Sequence, residues 1–337
     1  MTPVPLRGPG GWLVAGGFVV LATVVALCLG PARSVGPGDV LEVLGGGGSE
    51  IARDIVLTVR LPQVLLGLLV GAALSISGVL FQALLRNELA EPYLLGVGPG
   101  ALLGVTAAAF VTAAGGLSFL PADVLRGSLA FLGAVGVAVL VFSFARRGGR
   151  RPAVTVLLAG IAVGAFVHAI ATGALYTLQD WHHVVRWLLG DLSLADYSQV
   201  ATLGVVVALG GLAAWAAARD LDVLTLGEET AWLTGVEVRR ALWVLGGIAC
   251  LLAAAAVAQC GLVGFVGLVV PHLARRLFGP SHRVLIPAAA LLGAGLLVLA
   301  DGLSRGLYPP QGFPLAVVTA ALGAPVLGFL VLRRIGG

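Results

Sequence analysis

The chain has 337 residues, of which 59% are hydrophobic and only 11% are charged. Soluble domains carry about 25% charged residues, so this composition excludes an ordinary soluble protein and favours one embedded in a membrane. The net charge of +4 bears on membrane orientation and does not indicate nucleic-acid binding. The three cysteines, Cys28, Cys250 and Cys260, are isolated in apolar runs, so their spacing predicts neither a disulfide framework nor a metal site.

About ten apolar segments are long enough to cross a bilayer, since roughly 20 helical residues span its hydrocarbon core. They are residues 11–30, 61–85, 94–114, 127–145, 153–177, 197–218, 240–258, 261–277, 284–303 and 313–332. The sequence therefore predicts an all-α polytopic membrane protein, with residues 1–337 as a single transmembrane domain. The first segment is too long for the apolar core of a signal peptide and is expected to be an anchor helix.

The weakest assignment is the pair 240–258 and 261–277, because residues 259–267 (QCGLVGFVG) are rich in glycine. Non-helical backbone at membrane depth is tolerated only against protein or a water-filled cavity. Both segments are nevertheless expected to span.

The arginines set the orientation. With the N-terminus inside, the inner loops hold 14 of them and the outer loops hold 6. The positive-inside rule then predicts that both termini are cytoplasmic. The inner set is Arg7, Arg86, Arg146, Arg147, Arg150, Arg151, Arg219, Arg239, Arg240, Arg275, Arg276, Arg283, Arg333 and Arg334, and the outer set is Arg33, Arg53, Arg60, Arg126, Arg186 and Arg305.

A short polar hinge, residues 86–92 (RNELAEP), separates the second and third segments. It holds two acids, an arginine and a proline, and so is expected at a membrane face. Glycines follow at 96, 98, 100 and 104, where helices can approach closely or unwind. The pattern indicates a moving part.

The inner segment 219–240 is too polar to span, and Gly227 and Gly235 predict two short helices joined at a sharp bend. Glu228 and Glu229 at the start of the second helix favour its N-terminal dipole. The apolar side chains of this segment indicate either docking on a partner protein or a helix lying on the membrane surface. The residues alone favour neither. The apolar set includes Leu221, Val223, Leu224, Leu226, Trp232, Leu233 and Val236.

Several short blocks stand in chain order at 60–62 (RLP), 71–82 (GAALSISGVLFQ), 86–92 with 95–97 (LGV), 158–160 (LAG), 226–228 (LGE), 264–272 (GFVGLVVPH), 299–301 (LAD) and 323–325 (GAP). Together these blocks resemble the permease subunits of type II ABC importers, the FecCD-like family that takes up iron-siderophores, haem and cobalamin. The resemblance implies ten helices per subunit in a bacterial cytoplasmic membrane. It also implies a second permease subunit, for which a homodimer is the simplest assumption, two cytoplasmic ABC ATPases and an extracytoplasmic substrate-binding protein.

No phosphate-binding loop signature occurs in the chain. ATP and magnesium are therefore expected on the partner ATPase, and this chain is expected to have no catalytic residue, cofactor or metal of its own. Alternating access would move substrate along a path lined by the second, third, fifth and eighth spans.

The resemblance also implies roles for particular residues. Arg60 and Arg305 would receive acidic side chains of the binding protein, although arginines at these places can also be interfacial anchors. The cytoplasmic gate would include Asn87, Leu89, Ala153 and Val154. The chain departs from the family pattern at Gln63, where a second arginine is common, and at Glu88, where proline is common. Coupling helices at about 221–238 would dock on the ATPase through Leu221, Leu224, Leu226, Gly227, Glu228, Glu229 and Gly235.

Three histidines are candidate substrate contacts, because histidine is the commonest haem axial ligand. His168 lies within the fifth span, and His182 and His183 lie outside it beside Trp181. An ordinary interfacial role for His182 and His183, and a hydrogen bond to neighbouring backbone for His168, are favoured over contact with haem. Asp301 and Arg305 have the i, i+4 spacing of a local ion pair.

An ion-coupled secondary transporter is the alternative function. Such proteins display several charged groups near the bilayer midplane, whereas the interiors of these segments are nearly free of charge. An intramembrane enzyme is less favoured still, since the spans contain no HExxH motif or Ser–His constellation.

Overall fold

The computed structural model describes residues 8–30, 35–116, 119–147, 152–178, 181–307 and 312–335, and throughout these ranges the regular structure is helical. The α-helices are α1 (Pro9–Cys28), α2 (Pro37–Leu44), α3 (Glu50–Asp54), α4 (Leu61–Leu84), α5 (Val97–Ala113), α6 (Ala122–Arg147), α7 (Pro152–Leu175), α8 (His182–Leu188), α9 (Tyr197–Ala216), α10 (Ala218–Thr225), α11 (Glu228–Leu233), α12 (Val238–Cys260), α13 (Val266–Phe278), α14 (His282–Leu307) and α15 (Leu315–Ile335). A π-helical turn (Ile55–Arg60) joins α3 to α4, and a 3₁₀ helix (Pro92–Leu95) precedes α5.

Within these ranges, 7 helical stretches are long and apolar enough to cross a membrane, and the apolar helices Val97–Ala113 and Leu315–Gly328 are shorter. Each of the ten predicted segments contains a helix, which confirms an all-α multi-pass membrane protein. The count of ten spans is unconfirmed, and the cytoplasmic position of the termini stays a prediction.

The segment 261–277 does not form a full span. Residues 261–265 are not helical, and α13 has only 13 residues. At 1.5 Å per residue its length is about 20 Å, which is less than the roughly 30 Å of the hydrocarbon core. The break in the helix falls in the glycine-rich stretch that the sequence analysis had identified as the weakest assignment. It brings a loop and a short helix into the protein interior.

Helix α4 lies at the centre of the bundle, where it contacts α9, α12, α13 and α14. Two glycines permit its closest contacts: a Cβ atom at Gly71 would overlap the carbonyl of Gly293 on α14, and one at Gly78 would overlap the carbonyl of Gly267 on α13. Small residues of this kind let membrane helices approach backbone to backbone. By contrast, the 18-residue apolar window of α9 is only 11% buried and faces outward.

Candidate functional site

The guanidinium groups of the two arginines predicted at the outer face both lie at the C-terminal end of α1. Arg60 is 2% exposed, and its guanidinium donates to the carbonyls of Leu27 (2.7 Å) and Val35 (3.2 Å). Arg305 is 8% exposed and donates to the carbonyls of Leu29 (3.1 Å) and Ala26 (3.2 Å). The last carbonyls of a helix lack intrahelical donors, and cations are favoured beside them. Both arginines are therefore internal caps of α1 in this conformation.

Asp301 forms an ion pair with one of these arginines, Arg305. Its Oδ2 atom lies 2.7 Å from Nη2 of Arg305, and both side chains are buried, which confirms the ion pair expected from the i, i+4 spacing. A buried arginine requires such a partner, since an uncompensated charge away from water is costly.

A cavity of about 810 Å³ lies beside the two arginines. It is bounded by the outer ends of α4 and α14, by α8 and by residues 312–315, and its polar lining includes Arg60, Gln63, His182, Arg186, Asp191, Asp301, Ser304 and Arg305. Its size is in the range of sites that hold small molecules. An acidic side chain from outside would have to reach Arg60 or Arg305 through this cavity.

The structure separates the three candidate histidines. His182 lines the large cavity and stacks on Trp181, with ring centroids 4.4 Å apart. His183 lines a second outer cavity of about 230 Å³ together with Asp123, Arg126 and Gln259. His168 is on the exposed side of α7 and is in neither lining. Across the described ranges, no cluster of three or more His, Cys, Asp or Glu side chains is arranged to hold a metal ion.

At the inner end, the polar hinge forms a tight turn after α4. The Asn87 side-chain oxygen accepts a hydrogen bond from the Leu89 amide at 3.0 Å, a local turn typical of asparagine. Leu89 is 52% exposed. At the start of α7, Ala153 is buried whereas Val154 is 50% exposed. Both apolar residues, Leu89 and Val154, therefore present about half of their surface to the exterior of the chain.

The hinge and the 3₁₀ helix that follows it also contact the non-helical stretch before α13, and the sequence reasoning missed this contact. Tyr93 holds Val263 through its hydroxyl, which donates to the carbonyl at 2.8 Å and accepts from the amide at 3.0 Å. Glu91 accepts from the Phe265 amide at 3.2 Å. These side chains satisfy backbone groups that have no helical partner, as buried backbone requires. The sequence did contain a signal for this contact, because the polar hinge follows segment 61–85 and glycines interrupt segment 261–277.

Farther along α13 the same two segments remain in contact. The Glu88 carboxylate lies 3.6 Å from Nδ1 of His272, and Gln82 at the end of α4 donates to the Leu268 carbonyl at 3.2 Å. The hinge and α13 thus form one packed unit.

The inner segment folds as the glycines predicted, with α10 and α11 joined at Gly227. Gly227 has a φ of +126° and Gly235 a φ of +82°, conformations that glycine adopts far more readily than other residues. The side chains of Leu221 and Leu224 on α10 are buried in the core, so they do not form an outward docking surface.

The outward apolar surface of this segment consists of Leu226, Trp232 and Leu233, which are 72%, 77% and 72% exposed. Glu229 is exposed beside them, and the side chain of Glu228 lies outside the described part of the chain. We call Leu226, Trp232 and Leu233 the inner apolar patch.

A bundle of apolar helices, a largely apolar cavity that also holds charged side chains, a non-helical break within the bundle and a pair of short amphipathic helices are together typical of a multi-pass membrane transport permease. The chain belongs to the FecCD transport family, whose model matches residues 18–333.

Relatives and solved structures agree with this assignment. The hemin transport system permease protein HmuU of Yersinia pestis is 37% identical, with 94% of this chain and 95% of that protein covered. The cobalamin import system permease protein BtuC of Halobacterium salinarum is 38% identical over 85% of this chain and 75% of that protein. A solved structure described as an inward-facing conformation of a metal-chelate type ABC transporter has a TM-score of 0.84 at 28% identity, covering 97% of this chain and 100% of the other.

Proposed function

We propose that this chain is the permease subunit of an ATP-driven importer that carries a large metal chelate into the cytoplasm by alternating access. The substrate class is a ferric siderophore, haem or cobalamin. The names of the relatives, which transport hemin and cobalamin, support this class. The cavity of about 810 Å³ at the predicted outer end is an entrance suited to part of such a ligand.

The single observation that carries the proposal is the inner apolar patch. Three large apolar side chains are more than 70% exposed on a polar segment that is too short to span. Exposed apolar clusters of this kind mark sites that bind another protein or a membrane surface, and the family of the chain favours a protein here. The proposed occupant is an ABC ATPase, which supplies the ATP and magnesium. Glu228, Glu229 and the bend at Gly227 belong to the same proposed docking segment. The side chain of Glu228 lies outside the described part of the chain.

The remaining parts of the assembly follow from the same proposal. A second permease subunit, in the simplest case an identical copy, pairs with this one, and an extracytoplasmic binding protein delivers substrate at the outer cavity. Arg60 and Arg305 line that cavity, which supports a role for them in docking. The complex lies in a bacterial cytoplasmic membrane, and residues 1–337 form one permease domain.

The inner gate is proposed at Asn87, Leu89, Ala153 and Val154. The half-exposed side chains of Leu89 and Val154 suit a contact with the same residues of a second subunit, where an apolar ring closes a path by dewetting. His182 at the outer cavity is a better candidate for contact with substrate than His183 or His168.

The test is purification of the tagged protein in mild detergent from its own membrane, with mass spectrometry of the proteins that accompany it. A stoichiometric ATPase with a phosphate-binding loop is expected, and vesicles of the purified complex should accumulate haem, cobalamin or a ferric siderophore only when ATP is supplied. Uptake driven by an ion gradient, with no ATPase recovered in several detergents, would instead establish the secondary transporter.

A further inference from the structure

Asp222 on α10 is joined to the first residues of α14. Its Oδ1 atom accepts a hydrogen bond from the His282 amide at 2.9 Å and lies 2.6 Å from Nδ1 of the His282 ring. The hydroxyl of Ser281 donates to Oδ2 at 3.4 Å. One carboxylate on α10 thus caps the N-terminus of another helix 60 residues away in sequence. A negative charge is favoured there, because the first amides of a helix lack intrahelical acceptors.

The geometry makes this contact a specific tether. His282 is 2% exposed, whereas the Asp222 side chain is 41% exposed. The other ring nitrogen of His282, Nε2, is buried and has no hydrogen-bond partner among the residues that the structure describes. The contact with Asp222 therefore fixes both the ring and the start of α14. Nearby, the ring of Trp215 at the end of α9 donates to the Arg283 carbonyl at 3.2 Å, so the inner end of α14 is held from two sides.

Helix α14 runs from this tether to the outer cavity. It has 26 residues, or about 39 Å at 1.5 Å per residue. Its last two turns carry Asp301, Ser304 and Arg305, which line the cavity of about 810 Å³. Between its ends it is packed against the backbone of α4 at Gly293. A displacement at the inner end of such a packed helix is transmitted along it, since packed interiors deform little.

We propose that Asp222 is a positioning residue that couples the docking segment to α14, so that movement of α10 at the inner end shifts one wall of the outer cavity. This inference rests on the proposed function, because it takes the ATPase as the source of the movement. It assigns to Asp222 a role distinct from docking. The inner apolar patch binds the partner, and the carboxylate passes the displacement on.

The experiment measures, in the purified permease–ATPase complex, the distance between spin labels at the outer end of α14 and just after α8, two elements that bound the cavity. Cysteines replace Leu307 at the outer end of α14 and Leu194 after α8, which are 62% and 67% exposed. Cys28 is replaced by serine, while Cys250 and Cys260 are buried and stay. Distances are compared without nucleotide and with ATP trapped by vanadate.

Three variants are compared with the wild type in this background. Asp222→Ala removes the tether, Asp222→Asn keeps an oxygen that can accept from the His282 amide, and Asp220→Ala is the matched control, because Asp220 is an exposed acid on the same helix. The wild type and Asp220→Ala should show the same ATP-dependent change in distance. Asp222→Ala should show a change at least twofold smaller while it retains a stoichiometric ATPase, and Asp222→Asn should recover most of it.

Three results would overturn the inference. The first is a full distance change in Asp222→Ala, and the second is no change in a wild-type complex that contains its ATPase. The third is loss of the ATPase from Asp222→Ala alone, because Asp222 would then act in docking or folding. Failure of the proposed function is a separate outcome, since the wild-type protein itself would then recover no ATPase.

Discussion

The hydroxyl of Tyr93 satisfies both backbone polar groups of Val263, donating to its carbonyl at 2.8 Å and accepting from its amide at 3.0 Å. Val263 lies in the non-helical stretch between α12 and α13, where no helical partner is available. One side chain from the 3₁₀ helix after the hinge therefore holds this non-helical stretch in place. The contact joins two residues that are 170 positions apart in sequence.

Replacing Tyr93 by phenylalanine should destabilise the protein, because the substitution keeps the ring but leaves the carbonyl and the amide of Val263 without their partner. A buried polar group left unsatisfied costs about 1–3 kcal/mol, and two are affected here. Thermal unfolding in detergent measures the loss. Tyr176→Phe is the matched control, since Tyr176 is 92% exposed. An unfolding midpoint for Tyr93→Phe equal to that of the control would show that water replaces the hydroxyl.

The inner apolar patch provides the most direct test of ATPase docking. Replacing Trp232 and Leu233 together by alanine removes two large side chains that are 77% and 72% exposed. Large aromatic anchors dominate binding at protein interfaces, so at least tenfold less ATPase should accompany the variant through purification. The unfolding midpoint should stay within the error of the wild type, because neither side chain is buried in the chain.

The control for this pair is Leu41 with Leu44, which are 68% and 55% exposed on α2. Alanine at both positions removes two exposed apolar side chains from the predicted outer face and should leave the amount of ATPase unchanged. Equal recovery of ATPase with the Trp232 and Leu233 variant would contradict docking through the inner apolar patch and favour a helix that lies on the membrane surface.

Gly227 should be needed to couple the ATPase to transport, and it should not be needed for insertion of the protein into the membrane. Its φ of +126° and ψ of 160° lie in a region occupied almost only by glycine. Gly227→Asp adds strain and a charge at the bend, so the variant should reach the membrane in normal amount and lose ATP-dependent uptake. Thr225→Asp adds the same charge at an exposed helical position and should retain most uptake. Wild-type uptake by Gly227→Asp would remove the bend from the coupling segment.

Sequence reasoning predicted the helical class and its segments because hydropathy over about 20 residues is a strong signal. It also predicted the bend at Gly227 and the pair of Asp301 with Arg305, which depend on local spacing. The links from Tyr93 to Val263 and from Asp222 to His282 were missed. Each joins residues at least 60 apart in sequence, and local patterns hold no information on which distant backbone groups meet.

The roles expected for Leu221 and Leu224 illustrate a second limit. The segment is amphipathic, so the sequence shows that it has an apolar side, but it does not show which apolar residues that side includes once α10 packs. In the structure, Leu221 and Leu224 fill the core, and Leu226 remains outside. Burial depends on the neighbouring helices α4 and α14, which α10 contacts.

The buried pair of Asp301 and Arg305 should behave differently from an exposed pair of the same kind. Asp301→Ala leaves the guanidinium of Arg305 buried without its carboxylate, and breaking a buried pair costs about 3–5 kcal/mol. The comparison is Asp123 with Arg126, which are also 2.7 Å apart but have side chains 57% and 29% exposed. Exposed pairs contribute about 0–1 kcal/mol, so Asp123→Ala should shift the unfolding midpoint little.

A double variant separates the pair from the cap on α1. Asp301→Leu with Arg305→Met removes both charges and should recover part of the stability lost in Asp301→Ala, although the carbonyls of Ala26 and Leu29 then lose their donors. A double variant no more stable than Asp301→Ala would mean that capping α1 is the main contribution of Arg305.

The stabilisation that Asp196 gives to the start of α9 should depend on pH. Its carboxylate accepts from the Gln199 amide at 2.8 Å and from the Ser198 hydroxyl at 2.7 Å, and these hydrogen bonds lower its pKa below the usual value for aspartate. A lowered pKa in the folded state means that the stabilisation is complete above the pKa of the unfolded chain. It is lost as the pH falls through the lower, folded value.

The Asp196→Asn variant keeps a capping oxygen but does not titrate, so the difference in unfolding free energy between wild type and variant should shrink as the pH falls below about 4. Asp196→Ala removes the cap at every pH and should cost about 1 kcal/mol near neutral pH. Thermal unfolding of the three proteins in one detergent between neutral pH and about pH 3 measures both effects. A wild-type advantage over Asp196→Asn that stays constant across this range would show that the carboxylate charge does not stabilise the cap.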